Sequence, residues 1–316
     1  IVLTYENPDK IEGLKDNFKK NEISKISNVE SNSISYTANS FDLYSKNIIE
    51  LKEKVAFISY PTEQKIFDKN KLKIYTQNGF IIENFEQKKL NLPEFFTLQR
   101  NGGIKTVITV NEHNIALISG KEKNCFFASL ILLKNSKELL RTKCLPEKPK
   151  NNDFNGLGSS NIHLNNYILF TLGTPEKHVS LNSQLAQNDN YLFGKILKIE
   201  KDNILKKINN EIEILDVKIY SKGHRVPQGL TKIDNTVFNV EHGPKGGDEL
   251  NLVIENSNYG WPLVSYGTNY LKENGGDGKS IPSNHELNNF KEPLLALVPS
   301  IGISSLNICP SILQNY

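Results

Sequence analysis

Apolar and polar positions alternate in short blocks along most of this chain. From Asn28 onward, runs rich in Ile, Val, Tyr, Phe and Leu are separated by clusters of Asn, Asp, Gly, Ser and Lys. Val55–Tyr60, Lys73–Thr76, Thr106–Val110, Ile115–Ser119, Ile168–Leu172 and Val237–Val240 are examples. Runs of this length, bounded by turn formers, predict strands, and the scarcity of helical periodicity predicts an all-β fold. The exception is a short helix expected around Ile11–Lys19. It lies in an N-terminal segment, residues 1–27, set apart from a β domain over residues 28–316.

One layout recurs within the β region: a glycine-bearing loop, a strand, a tight polar turn, a returning strand and another glycine loop. The first copy runs from Gly102-Gly103 through Ile104–Val110, a turn at Asn111–Asn114 and Ile115–Ser119 to Gly120. The second runs from Gly156–Gly158 through Ser159–Leu164, Asn165-Asn166 and Tyr167–Leu172 to Gly173. The third runs from Gly223–Gly229 through Leu230–Ile233, Asp234-Asn235 and Thr236–Glu241 to Gly243. A fourth is expected to start near Ile301-Gly302. A spacing of about 55 to 75 residues suits propeller blades with inserted loops. In an antiparallel hairpin, the loop before the first strand and the loop after the second lie at the same end. The glycine loops are therefore expected on one rim. A two-sheet β-sandwich is the alternative reading of the same strands.

Composition narrows the class. A chain of 316 residues can bury one large all-β core or two smaller ones. Charged residues make up 23% of it with a net charge of +3, and the basic ones are scattered, which argues against a nucleic-acid footprint. The longest apolar run, Phe126 to Leu133 with Ser129 inside it, is too short to span a bilayer. Arginine occurs only at Arg100, Arg141 and Arg225. The chain opens at Ile1, contains no methionine and carries no signal-peptide pattern, so it is expected to be an excised piece or to have lost a leader. Cys125 and Cys144 flank two apolar runs joined by Lys134–Lys137. A hairpin there places them roughly opposite, as a disulfide in an oxidising compartment or as two buried thiols. Cys309 has no obvious partner in the sequence.

The third hairpin is the most specific stretch. It reads Gly223-His224-Arg225-Val226-Pro227-Gln228-Gly229-Leu230, then Glu241-His242-Gly243-Pro244-Lys245-Gly246-Gly247-Asp248-Glu249-Leu250-Asn251, then Asn258-Tyr259-Gly260-Trp261-Pro262. This series resembles the signature of the pyrroloquinoline-quinone (PQQ)-dependent soluble glucose/sorbosone (aldose sugar) dehydrogenases. The likeness is strong over Tyr220 to Tyr270 and weaker around Leu185–Gln187, Gly194–Leu197 and Val298–Ser300; the first hundred residues match only in texture. The resemblance implies a six-bladed β-propeller, here incomplete because the chain ends before the closing C-terminal blade. It also implies PQQ and calcium as cofactors, a sugar or related alcohol or aldehyde as substrate, and a periplasmic or secreted protein.

By the same resemblance, Arg225 pairs with a PQQ carboxylate or polarises a quinone oxygen, a role for which lysine lacks the planar fork. The alternative is that it ties a loop to an acidic neighbour. Gln228 reaches either the cofactor or a backbone group. Gly243 and Pro244 stand where the family offers main-chain carbonyls to calcium, or they form a plain tight turn. Asp248 and Glu249 are expected to satisfy loop amides, Trp261 to anchor blades, and His224 and His242 to support loops. His113, His163 and His285 are given no role.

The pattern breaks at two places. The family's catalytic base is a histidine before the second-hairpin strand, and alignment on Gly158 puts Asn155 there, with Ser159 where an arginine usually stands. An amide cannot take a proton near neutral pH. Val226 replaces the asparagine that follows the signature arginine among the cofactor-binding residues. His178, expected on the same rim, is the candidate substitute base. Two functions follow: a PQQ- and calcium-dependent dehydrogenase with altered chemistry, or a catalytically inactive propeller that keeps the frame and binds a carbohydrate, metal or protein partner.

Overall fold

Hairpins of the expected kind build four antiparallel meanders among the described residues. The structure, a computed structural model, describes residues 2–3, 54–59, 71–84, 86–158, 160–176, 179–270 and 278–308. The helix expected at Ile11–Lys19, the boundary at residue 28, and His178, Ser159 and Cys309 lie outside them. The first blade consists of Val55–Ser59, Lys73–Thr76, Phe80–Glu83 and Glu86–Lys89. The second is Ile104–Val110, His113–Glu122, Cys125–Leu132 and Lys137–Arg141. The third is Asn161–Leu164, Tyr167–Leu172, Lys195–Glu200 and Lys218–Lys222, with Ser257–Asn258 added in parallel at its edge. The fourth is Val226–Ile233, Thr236–His242, Asp248–Val253 and Leu295–Leu297.

The first strands of successive blades pack against one another, as radial blades around a common axis require. Asn161 stitches the second blade to the third, donating through Nδ2 to Thr106 Oγ1 at 2.9 Å and to the Val107 carbonyl at 3.1 Å. The Leu230 N–H does the same between the third and fourth, donating to Ser160 Oγ at 2.9 Å. This is a β-propeller arrangement rather than a two-sheet sandwich.

Side-chain alternation explains why the strands read as continuous apolar runs. In the third blade Ile168, Phe170 and Leu172 pack toward the second blade, with Phe126, Leu130 and Phe154. Leu169, between them, packs the other way, with Leu230, Val237 and Val253 of the fourth blade. Val107 and Ile108 divide in the same manner, the first toward Tyr75 and the second toward the third blade. A blade sandwiched between neighbours buries both faces, so its period of two disappears from the sequence. Each such Leu, Ile or Phe stabilises the fold by about 1.5–3 kcal/mol.

Two expectations are refined. A further meander precedes Ile104, and the copy expected near Ile301-Gly302 runs out of the described residues: its loop leads to Asn307–Ile308, which packs against Val226–Ile233. Residues 301–306 hold no strand, and Asn307–Ile308 pairs in parallel with Val2–Leu3. Cys125 and Cys144 form a disulfide with Cα atoms 5.2 Å apart, just beyond the outer hairpin of the second blade, where the Leu145 N–H donates to the Phe126 carbonyl.

Candidate functional site

The inner strand of the fourth blade begins where its partner ends, with Val226 paired to His242. Arg225 and Gly243 are therefore the next residues outward on each side. The Arg225 guanidinium crosses this gap: Nη1 donates to the Gly243 carbonyl at 2.6 Å and, more weakly, to the His242 carbonyl at 3.4 Å. The second-hairpin loops meet the same point. The Gly173 N–H donates to the Leu157 carbonyl at 2.7 Å, and the Thr174 N–H to the Arg225 carbonyl at 2.8 Å. The turn holding Asn155, the loop Gly173–Glu176 and Arg225 thus share one rim. Glycine is required where they cross, since a Cβ on Gly156 would stand 2.1 Å from the Thr174 carbonyl oxygen. Asn155 is exposed, its N–H donating to Asp153 Oδ1 at 3.0 Å.

The other residues named from the sequence fall into place around Arg225. Gln228 is the extra residue of a β-bulge between Pro227 and Gly229, half-buried on the inner strand. A bulge re-aims the side chain it carries. Val226 is buried in the ladder and offers only apolar surface. Pro244 is buried, and its ring lies against Gly267. Trp261 is buried and tied in through its main chain: its backbone N–H donates to the Gly223 carbonyl, and its carbonyl accepts from Gln187 Nε2 at 2.6 Å.

Arg225 is only 8% exposed. Its guanidinium lies 5.2 Å from the Trp261 ring, in cation–π range, and Nε is 3.6 Å from Glu176 Oε1. Glu176 is buried at 4% exposure, and its other oxygen accepts a hydrogen bond from the Ser183 hydroxyl. Burial pushes the Glu176 carboxyl up to about 7, against the opposing pull of the Arg225 charge and the Ser183 hydroxyl. Sequence reasoning passed over Glu176 in favour of His178, although the hairpin rule places both in the same loop.

Behind Arg225, Glu241 is a hub. Oε1 accepts from the Arg225 N–H at 3.1 Å, and Oε2 from His224 Nδ1 at 2.6 Å and Asn239 Nδ2 at 2.8 Å. With Nδ1 donating to a carboxylate, His224 Nε2 is left to accept from Ser221 Oγ at 2.9 Å, and the ring stacks on Tyr259 at 4.7 Å. Bonded at both nitrogens and packed on one face, His224 supports the loop. Burial lowers the pKa of His242, with Asp248 working against the shift and Arg225 adding to it. Asp248 does satisfy loop amides, accepting from the Gly243 N–H at 3.3 Å and from Gly302 and Ile303 at 2.9 and 3.2 Å. Glu249 does not. It is buried beside His285, 3.9 Å away, and accepts from Asn251 Nδ2 at 3.4 Å, with its pKa raised well above normal, first by burial and then by Glu241.

A small cavity opens here, lined by Arg225, Glu241, His242, Gly243, Glu249 and Trp261. At its edge a guanidinium and an indole face stand together, while Arg225 Nε and Trp261 Nε1 are buried on the side of Glu176. For PQQ, a flat quinone with three carboxylates, the matching group here is the Nη edge of Arg225, which faces Gly243 and the rim. Calcium does not fit the rim as arranged. The Gly243 carbonyl already faces a fixed cation, and no cluster of three acidic, histidine or cysteine ligands occurs among the described residues. Calcium needs six to eight oxygens, so a carbonyl shared with a guanidinium is a poor start.

Comparison with known proteins identifies the family. The glucose/sorbosone dehydrogenase family model matches residues 118–312, more than half of the chain. A quinoprotein glucose dehydrogenase of Acinetobacter calcoaceticus is 35% identical over 91 residues, 28% of this chain and 19% of that protein. An aldose sugar dehydrogenase of Escherichia coli is 37% identical over 108 residues, 33% of this chain and 28% of that protein. These matched segments span less than a third of the relatives' own lengths. In solved structures, the soluble aldose sugar dehydrogenase from Escherichia coli superposes with a TM-score of 0.60 at 20% identity. A glucose dehydrogenase does so with 0.62 at 21%, and each match covers 80% of this chain and 74% of the other. At that identity the superpositions speak for the fold alone.

Proposed function

Because the chain belongs to the glucose/sorbosone dehydrogenase family, we propose that it binds PQQ on the rim around Arg225 and oxidises an aldose or a related alcohol or aldehyde. The observation that carries this reading is the Arg225 guanidinium held between Trp261 and Gly243 at the mouth of an inner strand. Arg225 and the bulged Gln228 would hold the cofactor, with Val226 as apolar wall. PQQ supplies a two-electron acceptor for hydride when bound. The chain's own part is to orient the substrate, exclude water and take the hydroxyl proton. Asn155 cannot do the last, so His178, or a group not described, must accept that proton if turnover occurs. We read the four described blades as part of a six-bladed propeller. The disulfide supports a periplasmic or secreted setting. Among the described residues no helix is long and apolar enough to cross a membrane.

A second reading is favoured by Asn155 itself: a propeller that keeps the family frame and binds a carbohydrate, metal or protein without oxidising it. Calcium binding at Gly243 and Pro244 belongs to the first reading only if Arg225 swings away from the carbonyl. One experiment separates the two. The protein is mixed with PQQ, with and without calcium, and assayed on an aldose panel with an artificial electron acceptor, alongside a PQQ titration. Binding with turnover supports the dehydrogenase; binding of sugar without turnover supports the inactive frame; neither binding nor turnover sinks the PQQ reading.

A further inference from the structure

Three buried polar atoms from three separate segments converge without a completed hydrogen bond: Glu176 Oε1, Arg225 Nε and Trp261 Nε1. Leaving such atoms unmet costs about 1–3 kcal/mol each, so their grouping calls for a physical account. Their signs are complementary, two donors facing one carboxylate. At 3.6 Å, the Arg225–Glu176 pair is less than an ångström from a regular charge-assisted bond. Ser183 pins the other carboxylate oxygen from a capping-box turn, and Asn152 bridges to the backbone of Glu176. The carboxylate is therefore held from its far side, and the guanidinium spans from it to the Gly243 carbonyl. Glu241, the other acid nearby, holds the backbone N–H of Arg225 and so does not aim its side chain.

We propose that Glu176 is a positioning residue: it draws the Nε edge of Arg225 inward over Trp261 and so sets the direction in which the Nη atoms face Gly243 and the rim. This rests on the reading of Arg225 as the rim's cofactor-binding cation. Among the described residues Arg225 is the charged group that acts on Glu176; Ser183 and the indole N–H of Trp261 add polar contacts from the other sides. With its pKa near 7, the carboxylate exists in both charge states around neutral pH, so its hold on the guanidinium varies with pH. Protonation removes the counter-charge and lets Arg225 bind Gly243 alone.

The chain reports on this cluster directly, because Trp261 is its one tryptophan. Its emission is followed from pH 5 to pH 9 in the wild-type protein and in the Glu176→Gln, Glu176→Asp and Ser183→Ala variants, with far-ultraviolet dichroism to confirm folding. The wild type is expected to titrate with a midpoint near 7, Glu176→Gln to lose that transition, and Ser183→Ala to move it upward, since the lost hydroxyl favoured the ionised form. In parallel, PQQ affinity at pH 8 is expected to weaken about tenfold in Glu176→Gln and to recover partly in Glu176→Asp. An emission transition that survives in a folded Glu176→Gln, or a PQQ affinity the same in all variants, overturns the proposal. If no variant binds PQQ while the transition still depends on Glu176, the positioning stands and the cofactor reading fails. Should Glu176→Gln not fold, an unmoved midpoint in Ser183→Ala overturns the proposal alone.

Discussion

Arg225 donates through Nη1 to the Gly243 carbonyl at 2.6 Å, so the two positions the family resemblance assigns to different ligands are bonded to each other. A guanidinium and a divalent cation cannot share that oxygen at contact distance without strong repulsion. Calcium and the present direction of Arg225 are thus mutually exclusive at Gly243.

It follows that Arg225→Gln should strengthen calcium binding and weaken PQQ binding. Isothermal titration with each ligand reads both. Equal calcium affinity in wild type and variant would show that the carbonyl is no part of a calcium site. Arg225→Lys should fail to restore PQQ binding, because an ammonium cannot span Glu176, Trp261 and Gly243 as the planar fork does.

Glu241 is expected to matter more for stability than for chemistry. Glu241→Ala leaves His224 Nδ1, the Arg225 N–H and Asn239 Nδ2 without their acceptor, at about 1–3 kcal/mol for each buried group. Urea unfolding should show a clear drop in midpoint at an unchanged slope, with a smaller drop for Glu241→Gln. No drop would mean that water replaces the carboxylate.

The pH dependence of stability carries a sign that can be checked. Glu176 has an ordinary pKa of 4.5 and is pushed up to about 7 in the folded protein. Between those values the folded state holds a proton that the unfolded chain has released. This group's contribution is therefore full below about 4.5 and is lost as pH rises through about 7. Wild type should lose stability relative to Glu176→Gln across that window, by an amount on the order of a few kcal/mol. Parallel stability profiles would contradict the buried, protonated state.

Thiol titration tests the disulfide. Of three cysteines, two are joined, so the unreduced protein should show one reactive thiol and the reduced, unfolded protein three. A loop of 19 residues predicts that reduction costs about 3 kcal/mol.

For catalysis, Asn155 predicts little or no glucose oxidation, since a missing positioned base costs about 10²–10⁴-fold. A gain in Asn155→His, with PQQ affinity unchanged, would mark a cofactor site that lacks only its base. Robust turnover by the wild type that is indifferent to His178→Ala would mean the base lies elsewhere.

The all-β class, the strands at Lys73–Thr76 and Ile104–Val110, and the hairpins at Asn161–Leu172 and Val226–His242 were legible from local pattern. Short apolar runs and polar turns act over a few residues, and antiparallel geometry alone carries Asn155 and Arg225 to one rim. Blade sandwiching was not legible residue by residue, because strands buried on both faces lose their alternation; Ile168 and Leu169 face different neighbours with the same chemistry. Nor could position in the chain separate Asp248, which caps loop amides, from Glu249 beside it, which is buried against His285. The same limit governs the site. Arg225 stood out by its motif, but the direction of its guanidinium depends on Glu176 and Trp261, brought from other segments by blade packing. The proton affinity of Glu176 depends on the water those segments exclude. Desolvation and side-chain pairing belong to the surroundings in space, and residues 49 and 36 positions away along the chain leave no mark of it in a local motif.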